Sequence, residues 1–252
     1  MPRFFISSEN FDNADRSKIS IFGNDAVHIS KSLRMSAGEK VVLCDNQNIE
    51  YNCEISGFDG GVVHLCVLST SVSKSEPSVR VTLFQALPKG DKFELILQKC
   101  TELGICEVVP VISERCISRP DGKTLEKKVE RWNRICSEAS MQSGRGKVPK
   151  VLSPVSFCDA INLMKKSDLY FICYEGEKNL SLRNYLSEKF IIGKTESISF
   201  FVGPEGGISQ SEIMSAEKSG VRGIGLGKRI LRTETAPICV LSSLMFHTGN
   251  LD

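Results

Sequence analysis

The chain has 252 residues, a net charge of +2, 41% hydrophobic residues and 25% charged residues, so it has room for one large domain or for a large and a small one. No apolar run approaches the ~20 residues that a membrane-spanning helix needs, and the N-terminus lacks a signal-peptide core, which argues against a membrane protein. Ten cysteines without a Cys-x-x-Cys pair, and three histidines without ligand spacing, predict reduced thiols, no metal site and a cytoplasmic location.

The first 72 residues are predicted to form a small β-rich domain with one helix. Strand-like runs rich in β-branched and aromatic residues cover 3–6, 39–44, 49–56 and 62–68, and the helix covers about 25–33. A polar, serine-rich stretch from Ser69 to Pro77 follows and is the best linker candidate in the chain.

Residues 73–252 alternate between strand and helix patterns. Predicted strands cover 79–86, 107–112, 169–174, 198–202 and 223–226, and predicted helices cover 91–103, 124–141, 210–219 and 237–246. This order predicts an α/β domain with a mostly parallel sheet. The last helix is apolar nearly all round, which is typical of a helix buried in a core or at a subunit interface.

Basic residues concentrate in one part of the second domain. Residues 114–150 hold ten Lys or Arg and five Asp or Glu, whereas residues 1–73 have a net charge of −3. A basic surface of this kind fits a nucleic-acid backbone, but a solvated helix face laced with ion pairs gives the same composition. Both interpretations stay open from charge alone.

Two glycine-rich strings near the C-terminus, at 200–209 and 223–236, are the most informative feature of the chain. Each follows an apolar strand, and glycine lets a ligand approach bare backbone. Neither is a P-loop, because no Gly-Lys-Ser/Thr follows, and a dinucleotide fingerprint would need its third glycine at Lys228. Ordinary tight turns are the alternative for either string alone, but the pair predicts one ligand held between adjacent loops.

At this point the sequence resembles the trefoil-knotted (SPOUT) methyltransferases, and specifically the family that methylates N3 of a uridine in 16S ribosomal RNA. The matching motifs are Gln98–Gly104, Ser113–Arg115, Glu138–Ala139 with Gln142–Arg145, Val202–Gly207, and Leu226–Ala236. The chain departs from the usual family pattern at Lys228, where proline is common, and at Met141, where an acidic residue is common.

The resemblance implies a C-terminal trefoil-knotted domain at 73–252, a PUA-like β-barrel that binds RNA at 1–72, a homodimer, and S-adenosylmethionine (SAM) as cofactor. The implied cofactor-binding residues are Val202, Gly203, Pro204, Glu205, Gly206, Gly207, Leu226, Gly227, Ile230 and Leu231. The candidate RNA-binding residues are Arg3, Arg34, Arg115, Arg119 and Arg145. The expected partner is the small ribosomal subunit.

Methylation of uracil N3 requires loss of a weakly acidic proton and stabilisation of the imide anion as it forms. Arg232 and Arg34 are the candidate cations, and Glu234 is the candidate general base. Capping of the final helix, or a dimer contact, is the alternative role for Glu234. Two rival functions also remain open: a non-catalytic assembly factor that binds rRNA, and a knotted methyltransferase that acts on another RNA.

Overall fold

A computed structural model describes residues 1–120 and 122–251, which divide into two compact units. The first unit contains Met1–Glu76 and Ser140–Val148, and the second contains Pro77–Ala139 and Pro149–Asp252. The domain boundary expected after residue 72 stays a prediction. The sequence analysis did not anticipate that Ser140–Val148 belongs to the first unit, because nothing in the composition of that segment marks it.

In the described part of the first unit, five strands form one mixed sheet in the order β1-β3-β4-β5-β2. The strands are β1 Arg3–Phe5, β2 Lys18–Ile21, β3 Lys40–Cys44, β4 Ile49–Asp59 and β5 Val62–Val72. The pair β1–β3 is parallel and the other pairs are antiparallel. Strand β2 was not predicted, because only Ile19 and Ile21 mark its buried face. The predicted helix is split into α1, Gly23–Val27, and a π-helical turn, His28–Ser32.

The core of the first unit explains one departure from the family pattern. Phe4, Ile29 and Leu43 belong to its buried cluster, and Met141 packs against that cluster from the returning segment. Apolar packing is what a thioether side chain provides at this position, whereas a carboxylate would lose hydration there.

In the second unit, the described residues form a seven-stranded sheet in the order β12-β10-β11-β6-β7-β8, with β9 also paired to β7. The strands are β6 Arg80–Ala86, β7 Glu107–Ile112, β8 Lys150–Val151, β9 Val155–Ser156, β10 Leu169–Cys173, β11 Ser197–Val202 and β12 Arg222–Ile224. Every strand pair recorded in this sheet is parallel. The central strand β11 ends in the apolar run Phe200–Val202 because both of its faces are covered: Phe200 and Phe201 are each 0% exposed.

Six helices accompany this sheet within residues 77–120 and 122–251. They are α2 Lys92–Glu102, α3 Gly122–Ser143, α4 Phe157–Met164, α5 Leu182–Lys189, α6 Gln210–Lys218 and α7 Thr235–His247. Helices α4 and α5 were not predicted. The expected burial of α7 is found at Leu241, Leu244 and Met245, whereas Phe246 on the same helix is 74% exposed. None of the described helices is both long and apolar enough to cross a membrane.

The segment between β12 and α7 runs back across the sheet. Strand β12 is at one edge, yet the Thr233 hydroxyl donates to the Gly203 carbonyl at 2.7 Å and accepts from Gln85 Nε2 at 3.1 Å. Gly203 follows β11 and Gln85 lies in β6. The chain therefore passes the ends of β10 and β11 before α7 begins, and both glycine-rich loops meet at this crossing.

Candidate functional site

A cavity of about 450 Å³ lies at the carboxyl ends of β10, β11 and β12. Parallel strands bring their carboxyl ends to the same edge of a sheet, which is where ligands bind in many α/β folds. The predicted cofactor residues that line this one cavity are Val202, Gly203, Pro204, Glu205, Gly206, Gly207, Leu226, Gly227, Ile230 and Leu231. The volume is within the range of about 300–1,000 Å³ that small-molecule sites occupy.

Two glycines of the cavity wall have a backbone conformation that other residues rarely adopt. Gly207 has φ of +69° and Gly227 has φ of +101°. A Cβ on Gly207 would collide with the Glu175 carboxylate, whereas a Cβ on Gly227 would meet open space. Glycine is therefore required at 227 by the backbone conformation of the turn and not by lack of space for a side chain. As a result, the backbone of this turn is uncovered at the cavity.

Lys92, in the first turn of α2, connects the cavity's carboxylates. Its Nζ donates to Glu205 Oε1 at 2.8 Å and lies 3.7 Å from Glu234 Oε2. Partial burial raises the pKa of Glu205, but the hydrogen bond from Lys92 and bonds from backbone amides outweigh it and hold that pKa below its usual value. The bond to Glu205 in turn raises the pKa of Lys92. Lys92 and Glu205 are therefore an ammonium and a carboxylate at neutral pH.

Glu234 differs from Glu205 in having an unsatisfied oxygen. Its Oε2 is buried and has no hydrogen-bond partner among the described residues. Glu234 occupies the N-cap position of α7, but its side chain makes no capping hydrogen bond there. The capping alternative therefore has no contact to support it, and the carboxylate lines the cavity instead.

Arg232 also lines the cavity, and it is exposed. Its charge lowers the pKa of Lys92 as a minor contribution, which places the two cations near each other. The structure thus brings together two of the three predicted catalytic residues, Arg232 and Glu234, at one wall. The third, Arg34, lies in the first unit, where it is exposed and follows the π-helical turn with φ of +53°.

Two of the predicted RNA-binding arginines point inward instead of outward. Arg145 is 3% exposed, and its guanidinium binds both oxygens of Glu76, at 2.6 and 3.2 Å. Arg3 donates to Glu50 Oε1 at 2.8 Å and to the Arg145 carbonyl at 3.2 Å. These pairs fix the returning segment to the first unit and engage both guanidiniums, and an RNA-binding role for Arg3 and Arg145 stays a prediction.

Arg115 and Arg119 are exposed but have local partners. Arg115 Nη1 donates to the Gly206 carbonyl at 2.8 Å, so it braces a loop of the cavity. Arg119 donates to the carbonyls of Ser113, Glu114 and Cys116. Both guanidiniums therefore stabilise loops, and their role toward RNA stays a prediction.

Sequence reasoning missed Lys92, Glu175 and Glu177, which also line the cavity. A signal was available for the two acids, because they follow the buried strand β10 just as the glycine loops follow β11 and β12. Lys92 had no such signal, since its place depends on how α2 packs. Among the described residues no cluster of His, Cys, Asp or Glu could hold a metal ion.

The donor set of the cavity fits SAM. Bare backbone at Gly203 and Gly227 allows close approach, and Val202, Leu226 and Leu231 offer apolar contacts for a purine. The Glu234 carboxylate and the acids after β10 suit a ligand that carries an ammonium and a sulfonium. Lys228, at the position where the family commonly has proline, is an exposed residue of the same wall.

Comparison with known proteins gives a consistent family assignment. The profile of the RNA methyltransferase domain matches residues 74–245, and that of the RNA methyltransferase PUA domain matches residues 23–66. Ribosomal RNA small subunit methyltransferase E of Bacillus subtilis (strain 168) is 34% identical over 250 residues, which cover 98% of this chain and 97% of the relative. The chain belongs to this family of RNA methyltransferases.

Solved structures of the family share the whole architecture. The Neisseria gonorrhoeae ribosomal RNA small subunit methyltransferase E bound to S-adenosyl methionine is 30% identical, covers 98% of each chain and has a TM-score of 0.85. A Legionella pneumophila structure in complex with the bound cofactor SAM is 28% identical, covers 97% of each chain and has a TM-score of 0.86. The expected fold class is confirmed: an α/β SPOUT domain of the trefoil-knot type with a small PUA-like β-rich unit.

Proposed function

We propose that this protein transfers a methyl group from SAM to N3 of a specific uridine in the 16S rRNA of the small ribosomal subunit. The observation that carries the proposal is the single cavity at which both glycine-rich loops meet Arg232 and Glu234. Membership of the RNA methyltransferase family supports the reaction class, and the names of the relatives support small-subunit rRNA as substrate.

SAM, when bound, supplies an electrophilic methyl group next to the base. Gly203, Gly206 and Gly227 would hold it through backbone, and Leu226 and Leu231 would contact its purine.

The protein's own groups divide the remaining work. The guanidinium of Arg232 stays ionised and presents a planar fork of donors, which suits the carbonyl oxygens where the imide charge develops. Arg34 is the second proposed cation. Lys92 is an ammonium that hydrogen-bonds Glu205 at 2.8 Å and lies farther, 3.7 Å, from Glu234 Oε2. Glu234, whose Oε2 has no hydrogen-bond partner among the described residues, is the proposed acceptor of the N3 proton.

A stacked uridine must leave its helix before its N3 can reach the cavity, so extrusion of the base precedes methyl transfer.

We further propose a homodimer, formed in part by the exposed apolar surface of α7 around Phe246.

A cytoplasmic location fits the rRNA substrate and the cysteines of the described chain, none of which forms a disulfide.

The test is methylation of isolated small subunits, and of naked rRNA, with SAM and purified protein, followed by nucleoside mass spectrometry. The expected product is 3-methyluridine in small-subunit rRNA. Binding of SAM measured by calorimetry, together with methylation of another base or of no base, would contradict the proposed target while leaving the fold assignment intact.

A further inference from the structure

The N-terminal half of α3 carries a cluster of cations that lies outside the first cavity. We define the α3 basic face as Lys123, Thr124, Lys127, Lys128 and Arg131. These five are the described residues that line a second cavity, of about 280 Å³, in the second unit. Four of the five are cationic and the fifth offers a hydroxyl, so there is no carboxylate among the described lining residues.

The helical repeat explains how these residues share a face. Residues three and four apart are neighbours on a helix surface, which aligns Lys123 with Lys127 and Lys128 with Arg131. By the same spacing the acidic residues Glu126 and Glu130 are neighbours of Lys123 and Lys127, but they are not among the described residues that line the cavity. Four positive charges within about two turns repel one another, and a polyanion would relieve that repulsion.

Three of the four cations are available for a partner. Arg131 binds Glu94 through Nε at 2.7 Å, but Lys123, Lys127 and Lys128 have no carboxylate within 4.0 Å among residues 1–120 and 122–251. Lys123 and Lys127 are exposed and Lys128 is half-buried. In contrast, Arg3, Arg119 and Arg145 already donate to protein atoms, as described above.

The α3 basic face is connected to the candidate active site through the first turn of α2. The Arg131–Glu94 pair, and the rings of Phe93 and Trp132 with centroids 4.6 Å apart, join α3 to the first turn of α2. Lys92 opens that same turn and lines the first cavity. One helix, α2, therefore contacts both the α3 basic face and the cavity that Arg232 and Glu234 line.

We propose that the α3 basic face binds the phosphate backbone of the rRNA next to the target uridine. The inference rests on the proposed function for its RNA partner and adds the surface that positions it. Ammonium groups and a threonine hydroxyl are donors for phosphate oxygens and carry no base specificity, so this face sets affinity and register instead of sequence preference.

The test is the double variant Lys127→Gln/Lys128→Gln, which keeps helix-forming side chains and removes two charges. Its matched control is Lys165→Gln/Lys166→Gln, an exposed lysine pair at the end of α4. Binding of a small-subunit rRNA transcript is measured at several salt concentrations. We expect the slope of log affinity against log salt to fall by about 1.4–1.8 in the first variant, because each phosphate contact contributes about 0.7–0.9. The control keeps the wild-type slope.

In turnover assays the first variant should raise KM for RNA and leave kcat unchanged, since a backbone contact of this kind acts equally on ground and transition states. SAM affinity, measured by calorimetry, should equal that of the wild type. A wild-type salt slope in the folded variant, or an equal loss in the control, would overturn the proposal. Wild-type protein that binds the transcript through this face but makes no 3-methyluridine would defeat the proposed function instead.

Discussion

The hydroxyl of Thr233 donates a hydrogen bond to the carbonyl of Gly203 at 2.7 Å, across 30 residues of chain. The same hydroxyl accepts from Gln85 Nε2, and Gln85 is 0% exposed. One side chain thus ties the segment after β12 to the loop after β11 and to β6. The geometry of both glycine-rich loops depends on this junction.

Replacing Thr233 by valine should destabilise the protein by about 1–3 kcal/mol, because two buried partners lose their hydrogen bond. SAM affinity should fall as well, since the two loops lose their common tie. Thr233→Ser keeps the hydroxyl and is the matched control. Denaturant unfolding and calorimetry measure the two effects, and equal behaviour of the valine and serine variants would rule out the junction as described.

Gly227→Ala should reduce SAM affinity by more than the accompanying loss of folding stability can account for. Gly227 has φ of +101° and lines the cavity, whereas Gly220 has φ of +85° in the turn after α6. Neither has an atom within 4 Å of an added Cβ, so both alanine variants should lose about 1–2 kcal/mol of stability from backbone strain alone. Only the variant at 227 should reduce cofactor affinity in calorimetry. Similar affinities for both variants would remove Gly227 from the cofactor site.

Arg232→Ala should lower single-turnover methylation about 100- to 1,000-fold, the typical loss when one preorganised electrostatic stabiliser is removed. Cofactor affinity should be preserved, because the predicted role of Arg232 begins only as charge develops on the base.

Glu234→Gln should also be slow at neutral pH, but its rate should recover as pH rises, since hydroxide replaces the missing base. Arg232→Ala should show no such recovery. If both variants stay within a few fold of the wild-type rate at every pH, the two residues have no catalytic role.

Breaking the Arg145–Glu76 pair should strongly destabilise the first unit. The side chains are 4% and 10% exposed, and removing one partner of a buried ion pair costs about 3–5 kcal/mol. Arg145→Ala should therefore lower the Tm of the first unit well below that of the wild type. The matched control, Arg134→Ala, breaks a pair with Glu138 whose side chains are 80% and 57% exposed, and should leave the Tm nearly unchanged. Equal stability of the two variants would contradict the structural role of Arg145.

Phe246→Lys should shift the protein from dimer to monomer if α7 contributes to the interface. Phe246 is 74% exposed, whereas Val240, Leu241, Leu244 and Met245 on the same helix are buried. Ile192→Lys is the control, because Ile192 is 89% exposed in the turn after α5. Light scattering at micromolar concentration distinguishes the outcomes, and a wild-type protein that is already monomeric would defeat the homodimer.

The sequence predicted the parts of this protein in which local pattern and tertiary structure agree. Strand β7 was expected at 107–112 and is found at Glu107–Ile112, because a buried parallel strand is a continuous apolar run. The cavity wall followed from glycine, which marks close backbone approach. Burial of Arg145 could not be predicted, because an arginine is expected to be exposed to solvent unless its ion-pair partner is known, and Glu76 is distant in the sequence. Lys92 was missed for the same reason: its carboxylate partners lie more than 100 residues away.

The return of residues 140–148 to the first unit has a consequence for synthesis. A ribosome makes the five strands of that unit first, yet Glu76 has no guanidinium to bind, and Asn46 has no Val148 amide to accept, until the chain has grown past residue 148. The unit that is translated first is therefore not the first to be finished. Its last contacts come from a segment that is translated only after α2, β7 and most of α3, so the first unit cannot be completed until much of the second has been made.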